Sequence, residues 1–125
     1  VMKPRESTIQ AKEFQAGALR RQLAQFDRMI ADLEVIRVEL GKQIEGEERR
    51  TGVNDPANFA YSTVARAARE RRRNLSATIA DMSERRARVV ESLTEIDGFF
   101  DALSNAGDLI VEAGQGARQL RHAHA

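Results

Sequence analysis

Ile9, Lys12, Ala16, Leu19, Leu23, Phe26, Ile30, Leu33, Arg37, Leu40 and Ile44 follow one another at alternating spacings of three and four residues. This is the seam of a coiled coil, and only Lys12 and Arg37 interrupt its apolar character. Ala68, Arg72, Leu75, Ile79, Met82, Arg86, Val89, Leu93, Ile96, Phe100 and Leu103 repeat the pattern, with Arg72 and Arg86 as the polar members. Between the two arrays stands one strong turn, Gly52-Val53-Asn54-Asp55-Pro56. Gly52 can adopt the left-handed conformation that closes a helix, and Asp55-Pro56 offers an N-cap followed by a first-turn proline. Ser62 is a second candidate N-cap, so residues 56–61 form either a short helical turn or an ordered loop.

The pattern therefore predicts an all-α fold, a long antiparallel two-helix coiled-coil hairpin. Arm one covers about 4–51, the turn about 52–61 and arm two about 62–106. Gly107, Gly114 and Gly116 interrupt Leu109-Ile110-Val111 and Leu120, so 107–125 is expected to be a tail or a short extra helix. In the preferred register, facing residues have numbers that add to about 112, with Ile44 opposite Ala68, Leu33 opposite Ile79 and Ala16 opposite Ile96. Each polar seam residue then meets an apolar one: Arg37 meets Leu75, Arg72 meets Leu40, Arg86 meets Phe26 and Lys12 meets Phe100. Long basic side chains tolerate this by laying their methylenes over the apolar neighbour. A register shifted by one heptad leaves Phe100 without a partner and needs a tighter loop. Arms of about 40 to 47 residues correspond to a rod of roughly 60 to 70 Å, a shape without a pocket.

Composition supports a thin seam rather than a thick core. Of 125 residues, 42% are hydrophobic, only 5% are aromatic and none is tryptophan. The absence of cysteine excludes disulfides and thiolate chemistry. No apolar run approaches the ~18 residues of a membrane span and no signal-peptide core is found, so a cytoplasmic protein is expected.

The net charge of +1 conceals local clusters. Arg66, Arg69, Arg71, Arg72 and Arg73 form the densest run, followed by Arg85, Arg86 and Arg88. These arginines wrap around the helix with Glu70 among them, and the preferred register brings Glu39, Glu45, Glu47 and Glu48 near them as interhelical partners. The reading is a solvated, partly paired surface, with an acidic protein contact through Arg66, Arg69 and Arg73 as the functional alternative. Nucleic-acid binding would need the cations on one face and stacking aromatics beside them, and is not expected.

Phe59 and Tyr61 are among very few aromatics, and both fall at the tip. Either they pack beneath the turn, or Asp55, Pro56, Phe59 and Tyr61 make a contact surface for a partner. Adjacent Phe99 and Phe100 cannot both face the seam, which leaves Phe99 for another chain or a third segment. His122 and His124 are too few for a metal site. No phosphate loop, nucleophile with a base, or paired carboxylates in a pocket is present. The expectation is a non-enzyme with no catalytic residues, no cofactor and no metal.

Met2-Lys3, Arg5-Glu6, Ile9, Lys12, Phe14-Gln15, Arg21-Gln22, Ala24-Gln25 and Met29-Ile30-Ala31 carry a family resemblance. It continues through Glu47-Glu48, Arg50, Gly52, Asp55-Pro56, Phe59-Ala60-Tyr61, Arg72 and Asn74-Leu75. Over about its first two-thirds the chain resembles the flagellar export protein FliJ family of alphaproteobacteria, most specifically at the turn. The resemblance implies a small cytoplasmic component of the flagellar type III export apparatus, similar to the central stalk of rotary ATPases. It also implies the export ATPase ring and the export gate protein as partners, with export substrates or chaperones as further ones, and a coupling or escort role. A self-associating coiled coil acting as a spacer, with homodimers, is the alternative reading.

Overall fold

A computed structural model describes the backbone of residues 4–123 and the side chains of residues 5–107. His122, His124, Leu109-Ile110-Val111 and Leu120 lie outside the described side chains. Two α-helices pack against each other as a hairpin: α1, Pro4–Thr51, and α2, Thr63–Ala123. Pro4 stands at the first helical position, where its missing N–H costs nothing. The Ala-, Leu-, Glu- and Arg-rich sequence between supplies good helix formers.

The stretch from Gly107, expected as a tail or a separate short helix, continues α2 to Ala123. Each glycine weakens a helix by ~1 kcal/mol relative to alanine, but the intervening Ala, Leu, Glu, Gln and Arg residues favour continuation. The expected boundary at 106 is therefore absent from the backbone.

The chain divides into two compact units, Arg20–Val89 and the pair of segments Val1–Leu19 with Val90–Ala125. In the first unit, Leu40, Ile44 and Ala68 form a buried cluster against which Leu75 packs. Ile44 and Ala68 thus meet as the preferred register requires, and the heptad-shifted alternative, which would carry Ile44 into the loop, is excluded. Arg86 pairs with Asp27, next to its expected neighbour Phe26. Every expected seam position from Leu23 to Val89 is buried or half-buried, except Arg37. Arg37 turns its guanidinium to Glu34 at 2.6 Å and stays in solvent. The seam also extends one step further towards the tip than the sequence pattern suggested, to the fully buried Ala65.

In the second unit Ala16 and Ile96 are both buried, as their facing positions require. The Lys12 ammonium lies 5.8 Å from the centroid of Phe99, not over Phe100. Phe99 is half-buried and meets the edge of Phe100 with ring centroids 5.3 Å apart. Phe99 thus belongs to this unit's own packing, which accounts for it without another chain.

Candidate partner-binding tip

α1 ends where the backbone turns left-handed. Gly52 has φ of 72° and donates its N–H to the Glu48 carbonyl at 2.9 Å, the single capping bond of an αL stop. Thr51 Oγ1 donates to the Glu47 carbonyl at 3.0 Å and accepts from the Val53 amide at 3.3 Å, so side chain and backbone together tie the end of α1 to the first residues of the loop. No atom would obstruct a Cβ on Gly52, so the cost of substitution is purely conformational. Gly52→Ala is expected to lose about 1–2 kcal/mol, readable as a lower urea midpoint with unchanged slope.

Two successive turns then carry the chain to α2. Asp55 Oδ1 accepts from the Ala57 amide at 3.0 Å, and the Asp55 carbonyl accepts from the Asn58 amide at 3.0 Å. Asn58 repeats the device, with Oδ1 accepting from the Ala60 amide at 2.9 Å and its carbonyl from Tyr61 at 3.0 Å. Asp55-Pro56 therefore opens a loop turn, and α2 starts later. Its N-cap is Ser62, whose hydroxyl accepts from the Ala65 amide at 3.2 Å and donates to Glu47 at 2.9 Å. Of the two starts legible in the sequence, the one at Ser62 begins the helix.

This loop separates the two tip aromatics. Phe59 is 100% exposed and Tyr61 only 3%. Tyr61 donates its hydroxyl proton to Glu48 at 2.7 Å and accepts from Arg69 Nε at 2.8 Å, while Arg69 Nη2 pairs with Glu48 at 3.1 Å. The Arg66 and Arg69 guanidiniums lie 5.6 and 5.7 Å from the Tyr61 ring centroid, within cation–π range. Tyr61 thus locks the end of α1 to the start of α2. Phe59 lies within the second of these turns, with none of the described residues over its ring. Asp55 is exposed and Pro56 half-buried on the same loop.

The hydrogen bond from Tyr61, then that from Arg69, holds the Glu48 carboxyl below its ordinary value of 4.5. Arg50 and then Ser62 do the same for Glu47, and the Arg69 guanidinium is correspondingly held protonated by Tyr61 and Glu48. A carboxylate depressed in the folded state stabilises the fold above its unfolded pKa, and that contribution is lost as pH falls through the folded pKa. Thermal melts from pH 7 downward should therefore show Glu48→Gln less stable than the parent at neutral pH. The gap between them should close below pH 4.5, the ordinary carboxylate value. A gap that persists unchanged into acid would contradict the assignment of Glu48.

The arginine run does not form one patch. Arg69 serves Tyr61 and Glu48, Arg73 pairs with Glu70 at 2.7 Å, and exposed Arg66 lies over Tyr61. The candidate contact through Arg66, Arg69 and Arg73 is thus left with Arg66 and Arg73 at the surface and Arg69 committed to the tip. Among the acids expected to pair across the seam, only Glu48 does so. Glu39 pairs with Lys42, Glu45 with Arg49 and Glu47 with Arg50, all one turn away on α1. Neighbours at three or four residues are within reach of a side chain without any tertiary constraint, so they win.

An open polar depression beside Gly52 is lined by Glu45, Glu48, Arg49 and Asn54. Among the described residues no cluster of His, Asp and Glu could hold a metal ion, and no helix is long and apolar enough to cross a membrane. The fold and tip define a two-helix hairpin that presents one bare aromatic at its turn. Comparison with family models, curated proteins and solved structures gives no match for the chain.

Proposed function

We propose that this chain is a non-enzymatic, cytoplasmic adaptor of the flagellar type III export apparatus, which couples or escorts between the export ATPase and the export gate. The observation that carries the reading is the tip. The segment that most resembles the FliJ family, Gly52 to Tyr61, is also where a fully exposed phenylalanine is held on a hydrogen-bonded loop. A rigid aromatic loses little entropy on binding, and such anchors dominate interfaces. In this account Phe59 contacts the partner, Asp55 and Pro56 shape the loop, and Tyr61 braces it from within.

The test is a pull-down of the purified chain against the cognate export ATPase and the cytoplasmic domain of the export gate, with light scattering on the free protein. Binding by a monomer, weakened at least about tenfold by Phe59→Ala, is the expected result. No binding by a stable dimer would instead favour the self-associating coiled coil. That alternative draws on exposed Val35, Ile36 and Val38, which make the middle of α1 apolar on several sides.

A further inference from the structure

The two flanks of the Arg20–Val89 unit differ in chemistry. Asp27, Glu34, Gly41 and Glu48 recur every seven residues, one row beside the seam on α1. All the polar seam residues of this unit turn to that row: Arg86 to Asp27, Arg37 to Glu34, and Arg72, whose guanidinium lies 3.6 Å from where a Cβ on Gly41 would stand. The Arg69–Glu48 pair closes the same flank. One side is therefore polar, with three of its four arginines paired to carboxylates of that row.

The row on the other side of the α1 seam reads Gln22, Met29, Ile36 and Gln43, with no charge. Met29 and Ile36 are 37% and 43% exposed. The seam residues that open to this flank, Phe26 and Leu33 on α1 and Leu75 and Met82 on α2, are apolar and only half-buried. Across from them the matching row of α2 reads Arg71, Thr78 and Arg85, all exposed. Arg85 shares its charge with Asp81 at 3.1 Å on its outer side. Neither rim row of this groove holds a carboxylate.

We propose that this flank docks an amphipathic helix of a partner protein, apolar along one stripe and acidic at its edge. Its apolar stripe would lie on Met29, Ile36 and the half-buried seam, making a third helix against the two. Arg71 and Arg85 stand fourteen residues apart, about 21 Å along the helix, which sets two carboxylates two heptads apart as the matching edge. A second copy of this chain does not fit, because its own flank would bring arginines against arginines with no carboxylate in either rim. A nucleic-acid backbone does not fit two cations over an apolar floor, one of them already shared with Asp81. The proposal does not depend on the export reading.

The probe is a fluorescein-labelled synthetic helix with leucines at a and d and glutamates at e and g, compared with the same peptide carrying lysines in place of the glutamates. Fluorescence anisotropy should show saturable binding of the glutamate peptide to the full chain, and much weaker binding of the lysine peptide. Met29→Gln combined with Ile36→Gln, at two exposed positions that leave circular dichroism unchanged, should weaken binding at least about tenfold. Arg71→Glu with Arg85→Glu should invert the preference between the peptides. Equal binding of both peptides, or none at millimolar concentration, would overturn the proposal. So would a dimer in sedimentation that the Met29→Gln/Ile36→Gln variant dissolves, which would assign the flank to a second copy.

Discussion

Tyr61→Ala is expected to destabilise the hairpin by about 3 kcal/mol and to lower its melting temperature by roughly 10 °C, whereas Phe59→Ala two residues away should change stability by less than about 0.5 kcal/mol. Tyr61 is 3% exposed, and its loss removes a ring packed under Arg66 and Arg69 and leaves the Glu48 carboxylate without its shortest hydrogen bond. Phe59 is fully exposed, so its removal takes no contact from the fold. Tyr61→Phe should fall between them, losing about 1 kcal/mol, because the ring stays and only the hydroxyl goes. Chemical denaturation of the three variants checks the order. Equal losses for Phe59 and Tyr61 would show that both pack beneath the turn.

Ile44→Ala should cost a similar amount, about 3 kcal/mol. Ile44 is 3% exposed and lies in the buried cluster it forms with Leu40 and Ala68. A two-helix seam has few layers, and one facing residue here is already an alanine, so the cavity left by Ile44 cannot be closed by a larger neighbour. Val35→Ala, at a 64% exposed position of the same helix, should be neutral or slightly stabilising because alanine is the better helix former. The contrast separates seam from surface with two substitutions of the same kind.

Most of the fold was legible because a seam is a local pattern. The spacing of Leu23 through Ile44 and of Ala68 through Val89 identifies the residues that become buried or half-buried, and the loop position sets their register. The C-terminal part of α2 was not legible, since three glycines read as an interruption although the backbone around them stays helical. At the tip the pattern marked the right segment but did not separate its aromatics. Which of two residues at i and i+2 turns inward depends on the Asp55 and Asn58 turns and on the reach of Glu48, none of which is periodic. The same limit applies to charge. Arg37, Arg72 and Arg86 stand out as polar seam positions, yet that all three open to one flank follows only once the pairing of the helices is known.

The central claim is that one chain closes on itself with Ile44 against Ala68, and so holds the tip that presents Phe59. The chain has no cysteine of its own, so a variant carrying both Ile44→Cys and Ala68→Cys reports that contact without background. Mild oxidation followed by mass measurement and peptide mapping should give a monomer with the two positions linked within one chain. Disulfide-linked dimers that form in proportion to protein concentration would contradict the account, because the seam would then be made between chains.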